Sequence, residues 1–345
     1  MTTHTTSAPT TADAAEAPPC WLSVVIPAHN RRELALRAIN SVLEQHHPRR
    51  IEIIVVDDGS TDGLAEAIHQ HHAGNDSVRV ITTAREYTNA ARNTGFRASC
   101  GELVCFLDSD DLWMAHTLTV VEQIFAEHPE LAFLSIEGST LPSPAHPLIS
   151  RVVAEDAPGW SHAGFRSTAL VHQSLTLDGP QRNATLLYGD YFPAIIRGDL
   201  FLLSGLIIRR DAIVRAGPFT EHFRFYNDWE FFARMCLQGI GGYIDYDGFR
   251  RDAGRVDQIS RARPATAMPR RHVYILRTLA RRFPARLAAY ATLHKDALND
   301  AQYWMARCLL RTHHRRFAKR LLMHSVRQRY KVARSLALLA VANFI

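Results

Sequence analysis

Apolar and polar positions run in blocks through the first 140 residues. Trp21–Pro27 is a β-branched run closed by a proline, which a strand tolerates at its end. Ala28–Asn30 turns the chain. Arg31–Gln45 then spaces Leu34, Ile39, Val42 and Leu43 close to the helical period. Ile51–Val56 reads as a second strand, and Thr61–His71 as a helix capped by Ser60 or Thr61. Val78–Thr82 is a third strand, Asn89–Ser99 a helix, Leu103–Leu107 a fourth strand, Met114–His128 a helix and Leu131–Ile136 a further strand. The strands are apolar nearly throughout and end in polar or acidic residues. That is the pattern of a doubly wound, mostly parallel α/β sheet buried on both faces.

Beyond this block the signal weakens. Glu137–Asp190 has several prolines and no assignable period, and its length fits a lid or an acceptor-binding region. Ser204–Arg209 reads as a strand and Arg210–Ala216 as a helix stopped by Gly217-Pro218. In Asn227–Leu237, Trp229, Phe232, Ala233 and Cys236 share one helical face. After Pro264 the texture becomes arginine-rich amphipathic helix over His272–Phe283, Ala285–Arg311 and His314–Phe344.

Composition adds limits. Of 345 residues, 47% are hydrophobic and 21% charged, as in a globular chain with a sizeable core. Residues 1–19 are Thr/Ala/Pro-rich and read as a loose tail without the basic-then-apolar pattern of a signal peptide. No stretch has the apolar length of a membrane span. Cys20, Cys100, Cys105, Cys236 and Cys308 lack metal or disulfide spacing, which points to a reducing cytoplasm. The net charge of +6 hides an asymmetry: residues 251–345 hold 21 Lys+Arg against 4 Asp+Glu, leaving 19 against 30 in the first 250. An acidic half precedes a basic one.

The candidate chemistry sits where the strands end. Leu103–Leu107 runs into Asp108-Ser109-Asp110-Asp111, at the sheet edge where open α/β folds bind ligands. Asp-x-Asp offers hard oxygen ligands to Mg²⁺ or Mn²⁺; alone, it serves equally as a solvated helix cap. Neither Gly-x-Gly-x-x-Gly nor a P-loop is present, which disfavours a dinucleotide fold and a P-loop NTPase.

Five pieces in order, Ser23–Asn30, Ile53–Asp62, Ala90–Gly95, Phe106–Trp113 and Asn227–Arg234, resemble the family 2 glycosyltransferases. The resemblance covers roughly residues 20–260. It implies a GT-A fold, a Rossmann-like mixed α/β sheet flanked by helices, over 20–262, followed by a basic helical region over 263–345. It further implies an inverting, non-processive sugar transfer from a nucleotide-diphosphate donor, UDP-linked, to a hydroxyl acceptor in cell-surface polysaccharide or glycolipid synthesis. Asp110 and Asp108 are the implied ligands of Mn²⁺ or Mg²⁺. Pro27, His29, Asn30, Asp58, Arg92, Asn93, Asp108 and Ser109 are the implied nucleotide-sugar contacts, and Asp228 the base; Asp57 reads better as a turn-stabilising aspartate, and Asp111 as a cap or supporting group. Two departures stand out: Asn227 where a glutamate is usual, and Arg250-Arg251-Asp252 without a nearby histidine. Alternatives are a nucleotidyltransferase, whose glycine- and arginine-rich loop is missing, and a non-catalytic scaffold subunit.

The basic tail, with Arg316, Lys319, Arg320, Arg327, Arg329 and Lys331 ahead of an apolar end, fits a peripheral contact of 314–345 with anionic membrane. It equally fits a bundle packed on the catalytic domain or on a second subunit. The reading therefore places the protein in the cytoplasm, at the inner face of the plasma membrane where 314–345 touches it. Nucleic acid lacks motif support.

Overall fold

The computed structural model describes residues 19–140, 170–178, 181–223, 227–252, 266–311 and 314–344. The N-terminal tail and most of the unassigned 137–190 stretch lie outside these residues. One sheet of ten strands organises the described chain. β1 (Leu22–Ala28), β2 (Ile51–Asp58), β3 (Val78–Thr83) and β4 (Leu103–Phe106) pair in parallel in the order β3-β2-β1-β4. Val24, Val25, Ile53, Ile54, Val104 and Cys105 are fully buried, as strands covered on both faces require. α1 (Arg32–Leu43), α2 (Leu64–His71) and α3 (Thr88–Ala98) connect them. α3 lies so close to the sheet that a Cβ on Gly95 would stand 2.3 Å from Val25 Cγ1, so only glycine fits.

The second half of the sheet is mixed. From β4 the order continues β9-β6-β10-β8-β7. Here β6 is Phe133–Thr140, β7 and β8 the antiparallel hairpin Val171–Thr176 and Asn183–Gly189, β9 Leu206–Arg209, and β10 Gly241–Arg251. β9 runs antiparallel to both β4 and β6, whereas β10 is parallel to β6. The two-residue strand β5 (Leu112–Trp113) pairs β10 and delays the start of α4 to Thr117–Glu127, three residues later than the pattern predicts. α2 likewise begins at Leu64 behind Gly63, φ 75°, rather than at Ser60 or Thr61. Ser204 falls in a 3₁₀ turn ahead of β9.

Helices α5 (Phe192–Ile195), α6 (Arg210–Ala216) and α7 (Asn227–Cys236) cover the mixed half. The C-terminal helices pack there too: α8 (Ala267–Arg282), the turn α9 (Pro284–Leu287), α10 (Ala291–Leu310), α11 (Arg315–Arg327) and α12 (Val332–Phe344). Ile275, Leu276, Leu279, Ala306 and Leu322 share one apolar core with Val104, Phe106 and Trp229. The single helix expected over His314–Phe344 is two, because Arg329 (φ 54°) and Lys331 (φ 43°) turn the chain between them. The helix expected over Ala285–Arg311 likewise begins only at Ala291, after α9 and a 3₁₀ turn.

Consecutive carbonyls at the end of α5 anchor this arrangement. Trp229 Nε1 donates to Ile195 O at 2.8 Å, and His272 Nε2 to Ile196 O at 2.8 Å, with the two rings 4.6 Å apart. Burial lowers the His272 pKa from 6.5 to about 4, against the smaller raising effect of its carbonyl bond. The folded state thus resists a proton that the unfolded chain accepts. This contribution is complete above pH 6.5 and is lost as pH falls from there toward 4. Urea titrations across that window should show His272→Gln losing about 3 kcal/mol less stability than the wild type; parallel curves would refute the linkage.

Candidate active site

The carboxyl ends of β1, β2 and β4 bring most of the sequence-selected residues to one edge. Pro27 closes β1 opposite Val56, and Ala28 lies opposite Asp57. His29 Nδ1 lies 2.9 Å from Asp58 O. Asn30, at φ 51°, receives Thr61 N on its Oδ1 at 2.8 Å and donates its own N–H to Ser60 Oγ at 2.9 Å. Asp57 Oδ1 accepts Ser60 N at 2.9 Å, a turn-stabilising contact. The first two loops are therefore cross-braced before any ligand arrives.

Asp58 is buried, and its carboxylate is already engaged. Arg85 pairs with one oxygen, and Glu86 N donates to the other at 2.6 Å. Arg85 in turn lies over the exposed ring of Tyr87, 4.9 Å from its centroid.

Among the described residues, the Asp-x-Asp turn has two arginine partners. Arg92, nearly buried on α3, donates to Asp108 Oδ1 at 2.8 Å, and Arg31 to Asp110 Oδ2 at 2.7 Å. Asp108 remains 42% exposed along its side chain, so one of the two carboxylates faces solvent. Ser109 is buried. Asp111 points inward: Ser204 Oγ donates to its Oδ2 at 2.5 Å and Asp252 N to its Oδ1 at 3.3 Å. Burial, then the charges of Asp108 and Asp110, push its carboxyl well above the usual carboxylate range, against the opposing effects of Ser204 and Arg251. Ser204 also receives Asp108 N at 3.2 Å, and its carbonyl accepts Trp113 Nε1 at 2.8 Å. Arg250, by contrast, is committed to Asp247 and Ser139.

Asn93 is engaged by the 219–221 segment. Its side chain closes a reciprocal pair with Phe219, accepting that N–H at 2.9 Å and donating to its carbonyl at 3.0 Å; it also donates to Glu221 Oε1 at 2.8 Å. Asn89 holds Thr220 O at 2.8 Å. The same 216–221 segment is gripped from the other side by α7. Arg234 is fully buried and spends all its N–H groups on Glu230 and the carbonyls of Ala216, Gly217 and Pro218. Thr220 Oγ1 closes the circle on Glu230 Oε2 at 3.1 Å. Phe219 presents its ring to Arg92, whose guanidinium lies 5.5 Å from the centroid. Asp228, partly exposed, opens α7 two residues before Glu230 and accepts Trp229 N at 3.0 Å.

Arg31, Arg85, Ser204 and Phe219 were not selected by sequence. Their partners lie tens of residues away, and none stands in a spaced motif. The all-oxygen set of Asp108 and Asp110 suits a hard divalent cation.

The mixed sheet with flanking helices is that of the GT-A transferases. Residues 23–167 match the model of glycosyl transferase family 2. An uncharacterized glycosyltransferase alr2836 of Nostoc sp. is 43% identical over 105 residues, 30% of this chain and 32% of that protein. The chain thus spans about a third of this relative's length. Other relatives are named for amylovoran and O-antigen biosynthesis. Among solved structures, S. aureus TarS 1-349 in complex with UDP-GlcNAc aligns with TM-score 0.57 at 16% identity, over 89% of this chain and 87% of that one. The mannosyltransferase PcManGT from Pyrobaculum calidifontis, in complex with GDP-Man and Mn²⁺, aligns with TM-score 0.50 at 18% identity, over 95% and 85%. These two likenesses concern the fold.

The Glu230–Arg234 pair generates a stability prediction. Arg234→Met leaves a buried carboxylate uncompensated and three carbonyls without donors, so urea unfolding should lose about 3–5 kcal/mol. Adding Glu230→Gln should restore part of that loss. A single variant within about 1 kcal/mol of wild type would contradict the assignment.

Proposed function

We propose that this chain is a metal-dependent, inverting glycosyltransferase that moves a sugar from a UDP-linked donor to a hydroxyl acceptor in cell-surface polysaccharide or glycolipid assembly. The observation that carries the reading is the Asp108-Ser109-Asp110 turn at the end of β4, braced by Arg92 and Arg31 beside the β1 and β2 loops. The family 2 match of residues 23–167 supports the reaction class. TarS with UDP-GlcNAc supports the donor, and PcManGT with Mn²⁺ supports a divalent ion.

In this reading Asp108 and Asp110 would hold Mn²⁺ or Mg²⁺, which would supply Lewis acidity toward the leaving diphosphate. Pro27, His29 and Asn30 form one wall of the nucleotide pocket, and Ser109 belongs to its floor. Asp58 accepts a base N–H in exchange for its contact with Arg85, so Arg85 and Tyr87 move when the donor enters. Arg92 stays on the nucleotide side, where its guanidinium suits phosphate oxygens. Asn93 acts indirectly, by fixing Phe219 under Arg92. Asp228 takes the acceptor hydroxyl's proton as that oxygen attacks the anomeric carbon from the face opposite the diphosphate.

The acceptor is lipid-linked in this reading, and the outer faces of the last helices supply the membrane contact. No described helix is long and apolar enough to cross a membrane. α11 exposes Phe317 and Met323 among Arg316, Arg320 and Arg327, and α12 exposes Leu336 and Val341. Basic residues beside exposed apolar ones suit an anionic lipid surface.

Two experiments test these assignments. A thermal-shift panel of UDP-, GDP-, dTDP- and CMP-sugars with and without Mn²⁺ should give a metal-dependent rise with the UDP class. Asp110→Asn should abolish that rise. Asp228→Asn should keep it while slowing transfer about 10²–10⁴-fold. Full metal-dependent transfer in both variants would remove the mechanism.

For the membrane surface, Leu321 and Leu322 are buried in the core, so the test changes exposed residues alone. Phe317→Glu/Leu336→Glu/Val341→Glu should instead abolish sedimentation with phosphatidylglycerol vesicles and leave the melting temperature in place. Equal sedimentation of this variant and wild type would refute the contact.

A further inference from the structure

Three ligating groups meet at the opposite edge of the sheet, where the parallel strands begin. Cys20 precedes β1, Glu52 is the second residue of β2, and Cys100 lies between α3 and β4. The two thiol sulfurs and a Glu52 carboxylate oxygen all lie within 4.8 Å of one another, and the Cys20 thiol donates to Leu22 O at 3.5 Å. Glu52 and Asp58 are six residues apart on β2, which puts this cluster about 20 Å from the nucleotide edge. Sequence spacing hides the cluster, because its members stand 32 and 48 positions apart and meet only through parallel pairing.

We propose that Cys20, Cys100 and Glu52 form a binding site for a thiophilic divalent cation, with Zn²⁺ the natural occupant. Tetrahedral zinc with bonds of about 2.3 Å to sulfur and 2.0–2.2 Å to oxygen sets its ligand atoms roughly 3.5–3.8 Å apart, inside the observed limit. Two sulfurs exclude Mg²⁺ and disfavour Mn²⁺, so this site and the Asp108/Asp110 turn select different ions.

The carboxylate is held in place by the fold. Ser23 Oγ donates to Glu52 Oε1 at 2.5 Å and Cys100 N at 2.6 Å, while Arg79 donates to Oε2 at 3.1 Å. Gly101 N in turn fixes Ser23 Oγ at 2.7 Å. Such outer contacts orient a ligand before the ion arrives. Cys20 and Glu52 are buried and Cys100 is exposed, giving an entry side and a fourth position open to water. Binding releases the two thiol protons to solvent. Two thiolates, one carboxylate and Zn²⁺ leave one net negative charge, which Arg79 at Glu52 and the neighbouring Arg50 offset. The ion would tie the starts of β1, β2 and β4 together and brace the sheet from the end remote from the site.

The test uses the full chain, reduced and stripped of metal. Titration with Co²⁺ should raise a sulfur-to-cobalt charge-transfer band that saturates at one equivalent and disappears when Zn²⁺ is added. Cys100→Ser, an exposed substitution, should abolish the band while leaving the metal-free melting temperature unchanged. Glu52→Gln should keep the band and weaken binding, and Asp110→Asn should leave it untouched. Zn²⁺ should also protect Cys100 from iodoacetamide, read by peptide mass spectrometry. No sulfur band with excess Co²⁺, a band that survives Cys100→Ser, or alkylation of Cys100 unaffected by Zn²⁺ would each overturn the proposal.

Discussion

The buried Glu230–Arg234 pair is the constraint on which the site depends. An isolated guanidinium in this core would be prohibitive, and a single ion pair would barely offset its desolvation. The cost is met because every N–H of Arg234 has an acceptor, and three of those acceptors are consecutive carbonyls, Ala216 to Pro218. One helical side chain thereby fixes the path of a loop that has no regular structure of its own. Asn89 and Asn93 of α3 hold the next residues, Phe219 to Glu221, by backbone and side-chain bonds. The loop is a strap between two helices. One helix carries Arg92 and the other carries Asp228 in its first turn, so the spacing of these two side chains follows from this strap.

Legibility in the sequence tracked how local each signal is. Strands β1, β2 and β4 are readable because burial on both faces removes polar residues from a short run, and their ends are marked by a proline or aspartates. β10 was missed, although it lies between β6 and β8. Its sequence, Gly241-Gly-Tyr-Ile-Asp-Tyr-Asp-Gly-Phe-Arg-Arg251, alternates only over Ile244–Asp247 and has no apolar run of strand length. The glycines that blur the pattern are demanded by packing: a Cβ on Gly241 would stand 2.0 Å from Phe133 Cζ. The break between α11 and α12 was invisible for a related reason. Arg329 and Lys331 adopt positive φ without glycine, asparagine or proline to announce it.

The candidate site divides the same way. Asp108, Asp110, Asp58 and Asp228 stand at ends of predicted elements, where a linear pattern can find them. Arg31 reaches Asp110 across 79 positions and Ser204 reaches Asp111 across 93, so only the folded sheet joins them. Asn93 is the converse case. The motif that contains it was legible, but its side chain is wholly directed at the 216–221 strap, a role that no local spacing encodes.

Charge balance explains why arginines occupy the acidic turn before any donor is bound. Asp108 and Asp110, two positions apart, both press their charge on buried Asp111 beside them. Arg92 and Arg31 neutralise them and keep the turn folded. Under the proposed function, a divalent ion with a doubly charged diphosphate would add no net charge to this group. Arg92 and Arg31 can then exchange a carboxylate oxygen for a phosphate oxygen without either guanidinium losing an anionic partner. A lysine in either place would keep the charge but not the planar fork that spans two acceptors, so arginine is the residue this exchange requires. The same accounting disfavours entry of the diphosphate alone, which would bring two negative charges to a turn already crowded with carboxylates. Donor and metal are therefore expected to bind with mutual reinforcement, through the electrostatics of the turn rather than through any change of fold.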